Sequence, residues 1–212
     1  MTSRDGRTRR ERKRERTRAA IVDAAINLFE TRRYDATTVA DIADAADIGT
    51  RTFFDYFASK DELLFPRVDA RVLATIDAIA TRSPDDQPAD VLLRALAQVV
   101  DADHDLTARS ARLRMRLIQT VPAVRGRALQ LQLDAQRQIA RHLLTAYPDE
   151  LNEITAGALV GAFVGAVSGA VQAMIDAGGP TNTETLQTAI WQAAAVALRP
   201  WQTPEGYPTG SR

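Results

Sequence analysis

The segment from Thr37 to Leu63 constrains the fold of this 212-residue chain more than any other stretch, because it combines a helix start, a sharp turn and clustered aromatics. Thr38 is a good N-cap residue. Apolar residues follow it at the three-and-four spacing of a buried helical stripe: Val39, Ile42, Ala43 and Ala46. Asp47 comes next, where the chain must turn sharply, and Asp tolerates the left-handed conformation better than most residues. We therefore expect a first short helix that ends near Ala46.

A second short helix opens at Gly49 and Thr50. Phe53 and Phe57 lie four residues apart on one side and are predicted core residues. The remaining surface offers hydroxyls, a guanidinium, ring edges and an ammonium, from Thr50, Arg51, Thr52, Phe54, Tyr56 and Lys60. A helix in the DNA major groove uses this mixture for phosphate and base-edge contacts. The segment predicts a DNA-binding helix-turn-helix, and the alternative is a three-helix core that exposes aromatics or has lost DNA binding.

These residues resemble the N-terminal domain of the TetR family of bacterial transcriptional regulators. The matching positions are Thr37, Thr38, Val39, Ile42, Ala43, Ala46, Ile48, Thr52, Phe54, Tyr56, Phe57, Ser59, Lys60 and Leu63. The resemblance covers residues 16 to 66, and Tyr34 matches the family's aromatic before the second helix. It implies an all-α chain with a three-helix DNA-binding domain over 16–62, a larger ligand-binding and dimerisation domain of bundled helices over 63–200, and a flexible tail over 201–212.

Three departures from the family pattern, together with the charge of Asp55, bear on DNA binding. Arg33 replaces the usual Gly before the aromatic, and Asp47 and Gly49 replace the Gly and Ser of the turn. Gly49 lacks a side-chain oxygen, so we expect the second helix to be less firmly anchored. Asp55 puts a negative charge on the helix that faces phosphates. It could pair with Arg51, or accept a hydrogen bond from a cytosine amino group.

The first 18 residues form a strongly basic segment. Nine basic and three acidic side chains give it a net charge of +6, whereas the whole chain is neutral. This separation of charge is typical of a nucleic-acid binder. We expect residues 1–15 to be a disordered arm, or the first helix to extend from Thr8 onward, with Arg14 and Arg16 on DNA. The alternative is a solubilising tail. No apolar run follows the charges, as a secretory signal would require.

The composition excludes several functional classes. The chain has no Cys, which excludes disulfides and thiolate sites and is compatible with a cytoplasmic protein. His104 and His142 have no partners at metal-ligand spacing, and no Gly-rich phosphate loop is present. We therefore predict no catalytic site, metal or cofactor. Helical periodicity predicts an all-α body with helices at 61–82, 88–103, 106–120, 124–147, 150–177 and 183–198.

A ladder of glycines marks the helix over 150–177. No charged residue occurs between Ile154 and Ile175, and a Gly recurs at every fourth position from Gly157 to Gly169. Glycine lowers helix propensity, so we expect close approach of another helix and burial on most sides. A membrane span is the alternative, because 22 uncharged residues suffice to cross a bilayer. Small residues, Gln172 and the lack of flanking basic or aromatic belts argue against it, so no membrane partner is predicted.

The resemblance implies that the last two long helices form a four-helix bundle with those of a second copy. The interface would lie on residues 154–175 and 184–198, with candidate contacts at Gly157, Gly161, Val164, Gly165, Gly169 and Trp191. Two recognition helices related by a two-fold axis would then read a palindromic operator in double-stranded DNA.

The resemblance also implies a cavity for a small-molecule effector. Candidate lining residues come from apolar and basic helical faces: Leu96, Val99, Arg112, Met115, Arg116 and Leu133. Such apolar stripes are also typical of plain core. The arginines are either a solvated face or a clamp for an anionic group. The pattern from Arg116 to Pro122, with that from Arg51 to Phe54, is similar to an actinobacterial subgroup with an acyl-CoA-like ligand domain, so we expect an acyl-CoA or another fatty, anionic effector.

Together these patterns predict a cytoplasmic, homodimeric repressor that an effector releases from its operator. A function as an activator is a further alternative, because nothing in the fold determines whether transcription is lowered or raised. Two other classes are alternatives: a helical interaction module without DNA binding, and a small membrane-anchored protein. An enzyme is not expected, because no acid, base, nucleophile or metal constellation is visible.

Overall fold

A computed structural model describes residues 8–65, 68–102, 109–178 and 183–202 of the chain. These residues form helices and turns, and none of them lies in a strand. The chain divides into two compact units, here called the head unit (residues 1–66) and the body unit (residues 67–212). The all-α fold class is confirmed. The observed boundary lies four residues after the predicted one at 62, because a short 3-10 helix, Glu62–Leu64, packs against the first helix of the head unit.

The head unit contains three α-helices: α1 (Arg9–Arg32), α2 (Val39–Ala45) and α3 (Thr50–Phe54). Its core is built around two aromatic side chains at the predicted positions, Phe53 and Phe57, which are 0% and 1% exposed. Apolar residues of α1, α2 and the 3-10 helix are also buried: Ile21, Ala25, Phe29, Ile42 and Leu63. Burying these large side chains is the main favourable contribution to the stability of so small a unit.

Capping boxes begin both of the first two helices. Thr8 accepts a hydrogen bond from the Glu11 amide while the Glu11 carboxylate accepts one from the Thr8 amide, and Thr38 and Asp41 make the same exchange. Because α1 begins at Arg9, residues 9–15 are helical. This corrects the expectation of a disordered arm and agrees with the alternative of a helix extended from Thr8. Residues 1–7 lie outside the described residues.

Two non-glycine residues of the head unit have positive φ. Asp47 has φ 53°, as predicted for the sharp turn between α2 and α3. Arg33 follows α1 with φ 69° and ψ 152°, at the position where the family pattern has Gly. A side chain rarely adopts this conformation, so the backbone there is strained.

The described residues of the body unit form six α-helices: α4 (Val68–Ala80), α5 (Pro88–Ala102), α6 (Arg109–Thr120), α7 (Pro122–Ala146), α8 (Glu153–Asp176) and α9 (Thr183–Leu198). One apolar cluster joins α4, α5, α7, α8 and α9, and side chains such as Leu92, Leu143, Leu159 and Leu198 are fully buried in it. The predicted helix over 61–82 begins only at Val68. The predicted helix over 124–147 begins two residues earlier, at Pro122, because the first position of a helix does not need its amide hydrogen.

A polar cluster closes one edge of the body unit. The Tyr147 hydroxyl donates a hydrogen bond to the Asp86 carbonyl oxygen at 2.9 Å, and the Arg82 guanidinium lies 4.7 Å from the Tyr147 ring centroid. Burial raises the pKa of Tyr147 to about 12. The Asp86 carboxylate accepts a hydrogen bond from Arg94 at 2.7 Å and another from the Ser83 amide, which lower the pKa of Asp86.

The glycine ladder of α8 is open in this single chain. A Cβ placed on Gly157, Gly161, Gly165 or Gly169 would meet no atom of the described residues within 4 Å beyond the helix's own backbone. Ile154 is 82% exposed, and 28% of the most apolar part of α8 is buried. In the single chain, therefore, α8 is not buried on most sides. Among the described residues α8 is the one helix long and apolar enough to cross a membrane by length and composition, with a mean hydropathy of 1.9.

Candidate functional site

The short helix α3 carries four of the nine predicted DNA contacts. Thr50 and Arg51 are exposed, Thr52 is half-buried, and the Phe54 ring is 56% exposed. Gly49 precedes them without a side-chain cap, as expected. Since α3 ends at Phe54, Tyr56 and Lys60 lie in the segment that follows the helix. The candidate interface is therefore one short helix together with the turn after it.

Asp55 lies at the end of this surface. Its carboxylate is exposed, and in the described part of the chain it forms no ion pair with Arg51. The Asp55 amide instead bonds to the Arg51 carbonyl oxygen at 3.2 Å, which closes the last turn of α3. Of the two roles considered for Asp55, the pairing with Arg51 is absent.

Two arginines of α1 stack on the aromatic side chains after α3. The Arg14 guanidinium lies 5.5 Å from the Tyr56 ring centroid, and the Arg18 guanidinium lies 4.5 Å from that of Phe57. Residues four apart share one face of a helix, so both arginines reach adjacent rings. Arg16 is exposed on another side of α1. The contacts join the basic start of α1 to the end of α3, which sequence spacing alone did not indicate.

Lys60 points into the head unit. Its ammonium donates hydrogen bonds to the carbonyl oxygens of Tyr34 and Thr37, both at 3.0 Å, and lies 4.3 Å from the Tyr34 ring centroid. Two of its three N–H donors are thus used by the segment between α1 and α2. The structure gives Lys60 a structural part that its interpretation as a phosphate contact did not include.

Tyr34 and Thr38 make contacts that hold the segment at the start of α2. The buried Tyr34 hydroxyl donates to the Asp61 carboxylate, and its ring lies 5.0 Å from that of Phe29. The exposed Thr38 hydroxyl donates to Asp41 at 2.5 Å. Hydrogen bonds from Thr38 lower the pKa of Asp41. Thr38 therefore positions the start of α2 whether or not it also contacts a phosphate.

The body unit contains a second candidate site, a partly open cavity of about 220 Å³ between α4, α5, α7 and α8. Its walls are mostly apolar: Val68, Val72, Leu96, Val99, Ala135, Ile139, Phe163, Val164 and Val167. The polar lining residues are Arg71, Thr75 and Ser168. The predicted residues Leu96 and Val99 do line the cavity. Val164 lines it too, although the sequence analysis assigned it to the dimer interface.

Four predicted effector contacts lie elsewhere. Arg112 and Arg116 are exposed on α6, Met115 is half-buried on the same helix, and Leu133 is 50% exposed on α7. None of them lines the 220 Å³ cavity. Periodicity identified an amphipathic helix correctly, but it did not reveal which helix packs around the cavity. The arginine of that cavity, Arg71, belongs to α4 and was missed.

The predicted dimer residues are accessible to different extents. Gly157, Gly165 and Gly169 are exposed, Gly161 is half-buried, and Val196 on α9 is 66% exposed. Trp191 is half-buried against the apolar cluster of the body unit. The glycines and Val196 therefore leave accessible apolar surface on α8 and α9.

In the described residues, no three His, Cys, Asp or Glu side chains are grouped so that they could hold a metal ion. The His142 Nδ1 lies 2.9 Å from the Gln138 carbonyl oxygen one turn earlier. His104 lies outside the described residues.

Comparisons with known proteins agree with this geometry. Residues 21–65 match the family described as bacterial regulatory proteins, tetR family. The HTH-type transcriptional regulator TcmR of Streptomyces glaucescens is 31% identical over 137 residues, which cover 62% of this chain and 61% of TcmR. Salmonella enterica GusR has a similar fold, with a TM-score of 0.51 and 15% identity over 88% of this chain and 96% of GusR.

A helix-turn-helix head followed by an all-α body defines a class of bacterial regulatory proteins. Within that class, the match over residues 21–65 and the identity to TcmR make this chain similar to the TetR family. The chain spans about 61% of the length of TcmR, and the likeness to GusR concerns the fold alone.

Proposed function

We propose that this chain is a sequence-specific DNA-binding transcriptional regulator, working in the cytoplasm as a homodimeric repressor that a small-molecule effector releases from a palindromic operator. The observation that carries the proposal is the exposed side of α3, where the Phe54 ring is 56% exposed beside Thr50 and Arg51. An exposed aromatic flanked by hydroxyl and guanidinium groups suits the edges of bases in the major groove.

Each group has a distinct part on DNA. Arg51 and the hydroxyls of Thr50 and Thr52 contact base edges and nearby phosphates, and the Phe54 ring contacts a thymine methyl. Arg14, Arg16 and Thr38 contact phosphates. Tyr56 is held by its stacking with Arg14, so its hydroxyl approaches DNA from a restrained ring. Lys60 keeps one N–H for a phosphate after its two carbonyl contacts.

Dimerisation through α8 and α9 explains the open glycine ladder. Four glycines at every fourth position cost helix propensity, and nothing in the described single chain lies close enough to benefit from their small size. A second copy packed along this ridge would bury Ile154 and Val196, which are 82% and 66% exposed. The resulting two-fold symmetry matches a palindromic operator.

Effector control works through a difference in affinity. A ligand in the body-unit cavity weakens DNA binding only if it binds the DNA-incompetent conformation better than the competent one. The printed name of TcmR, a transcriptional regulator, supports the regulatory part of the proposal. Repression follows if the bound dimer excludes polymerase from the operator, and a reporter gene behind the operator tests this sign directly.

The DNA-binding part is tested by the enrichment of genomic fragments on the purified protein. The test variant is Phe54→Ala/Tyr56→Ala, and the control is Leu129→Ala, which removes a similarly exposed apolar side chain (54%) from α7. We expect a few fragments that share a palindrome, bound by the wild type and the control but not by the test variant. Equal enrichment by all three proteins, or DNA affinity independent of salt, would contradict the proposed interface and favour an interaction module.

The dimer is tested by sedimentation of Gly165→Leu against Gly126→Leu. Both glycines lie in helices with open space at the Cβ position, so either leucine fits the single chain. We expect the α8 variant to sediment as a monomer and the α7 variant to stay a dimer. A dimer that survives Gly165→Leu and the corresponding change at Gly161 would exclude the ladder as the interface.

A further inference from the structure

We propose that the body-unit cavity binds a small organic acid, with an apolar body inside the cavity and a single carboxylate held by Arg71. This inference rests on the proposed function, because it names the chemical class of the effector. It also narrows that class, since it replaces an acyl-CoA with a free acid of limited size.

The volume of the cavity sets the size of the ligand. A dry protein cavity of about 150 Å³ accommodates benzene, so the 220 Å³ found here has room for roughly nine non-hydrogen atoms. A medium-length fatty acid or a single-ring aromatic acid fits this limit. The nucleotide and pantetheine portions of an acyl-CoA are far larger and would have to remain outside the cavity.

The walls define the chemistry of the ligand's body. Nine of the twelve lining residues are apolar, and Val72, Ile139 and Phe163 are each less than a tenth exposed. Such a surface gives a polar ligand no hydrogen bonds in exchange for those it loses from water. A hydrocarbon chain or ring is therefore the part that enters.

The polar lining residues define the ligand's other end. Arg71 and Thr75 lie one turn apart on α4 and share a face, and no Asp or Glu lines the cavity. The Thr75 hydroxyl donates to the Arg71 carbonyl oxygen at 3.0 Å, which leaves its lone pairs and not its proton toward the cavity. Arg71 is thus the lining group that complements an anion.

The arginine can serve a ligand and the protein together. Arg71 already interacts within the protein, but a guanidinium has five N–H donors in a planar fork that suits a carboxylate. Arg71 is half-buried and Ser168 is exposed, whereas Thr75 is buried. This difference in solvent exposure along the cavity orients the ligand, with its carboxylate at the more accessible end and its apolar part inward.

Calorimetric titration of the full-length protein with octanoate, octanamide and 1-octanol tests the assignment. The three probes share one chain length and differ in charge. A hydrogen bond to a charged group contributes about 1 kcal/mol more than a neutral one, so we expect octanoate to bind about fivefold more tightly than octanamide. Arg71→Gln should remove this preference, and Arg71→Lys should keep part of it.

Two further proteins serve as controls. Arg116→Gln neutralises an exposed arginine that does not line the cavity, and it should bind octanoate within twofold of the wild type. Ala135→Phe fills the cavity and should abolish binding of all three probes. Circular dichroism verifies that each variant is folded. If Arg71→Gln does not fold, the octanoate and octanamide affinities of Arg71→Lys test the role of Arg71 instead.

Three results would overturn the assignment: no binding of any probe by the wild type, equal affinity for octanoate and octanamide, or tighter binding of octanoyl-CoA than of octanoate. Operator affinity measured with and without octanoate separates the two proposals. Arg71-dependent octanoate binding that leaves DNA affinity unchanged would retain the ligand class and reject the effector role. A wild-type protein that binds no DNA even without octanoate would reject the proposed regulator, and the calorimetric result on the ligand would still stand.

Discussion

The head unit and the body unit are stabilised in different ways. In the head unit, specific polar and ring contacts hold individual groups, such as the two carbonyl oxygens bonded to Lys60 and the rings beneath Arg14 and Arg18. In the body unit, one apolar cluster joins five helices and leaves both a cavity and an open glycine ladder. Directional contacts fix the position of a surface group, whereas apolar packing has no preferred direction and depends on shape and volume.

This difference matches what the two units are proposed to do. A surface that reads bases needs its side chains at defined positions, because misplaced donors lose their hydrogen bonds. A unit that responds to a ligand needs two packings of similar free energy. Four predictions test the comparison, beginning with the largest effect.

Phe53→Ala should destabilise the head unit by ~3–5 kcal/mol, because the ring is fully buried. Phe54→Ala, next to it but 56% exposed, should change stability by less than about 0.5 kcal/mol. Both Trp residues, Trp191 and Trp201, belong to the body unit. Urea unfolding should therefore show an early transition in circular dichroism for Phe53→Ala that Trp fluorescence does not follow. Coincident transitions by both signals would mean that the units unfold together.

Lys60→Met keeps the aliphatic stem and removes the ammonium. Its two carbonyl bonds and its contact with the Tyr34 ring predict a loss of ~1.5–3 kcal/mol in unfolding free energy. Urea titration measures this loss, and DNA affinity at several salt concentrations measures the other role. Unchanged stability combined with a weaker salt dependence would make Lys60 mainly a phosphate contact.

Tyr147→Phe removes one hydrogen bond of the body unit and should cost about 1 kcal/mol at neutral pH. Burial raises the pKa of Tyr147 from 10.0 to about 12 in the folded chain. The folded state therefore holds this proton more tightly than the unfolded state, and the resulting stability is present below pH 10 and lost as the pH rises toward 12. Melting temperature against pH should fall less steeply above pH 10 in Tyr147→Phe. Parallel curves for the two proteins would exclude this linkage.

Arg33→Gly should stabilise the head unit slightly, by about 0.5–1 kcal/mol. Glycine relieves the strain of φ 69° but adds conformational entropy to the unfolded chain, so the gain is smaller than the strain itself. The melting temperature of the head-unit transition measures it, with Asp35→Gly, also in the loop after α1, as the control expected to destabilise. A loss of stability in Arg33→Gly would mean that the arginine side chain contributes more than its backbone strain costs.

The sequence predicted the features of the head unit that depend on neighbours along the chain. The N-cap at Thr38, the left-handed Asp47 and the buried pair Phe53 and Phe57 each follow from residues within one or two helical turns. Lys60 was different, because its partners lie 23 and 26 residues earlier and no local pattern reveals whether a lysine turns inward.

In the body unit, periodicity identified the helices but not how their faces pack. Arg112 and Arg71 both lie on amphipathic helices, and only the packing of α4, α5, α7 and α8 decides that Arg71 lines the cavity. The glycine ladder was identified correctly as an unusual helix, but its environment depends on which neighbours are present. A single sequence does not directly show how helix faces pack or which neighbours a helix has.

The early start of α1 also affects how the chain meets proteases. Seven arginine and lysine residues occur between positions 9 and 18, and all lie within one helix that begins at a capping box. Trypsin cleaves extended backbone, so cutting there requires that these first turns unwind. Like charges along the segment favour unwinding, and bound phosphates would oppose it. The rate of tryptic cleavage in this segment therefore measures how readily the start of α1 unwinds. This rate should fall when the protein is bound to DNA.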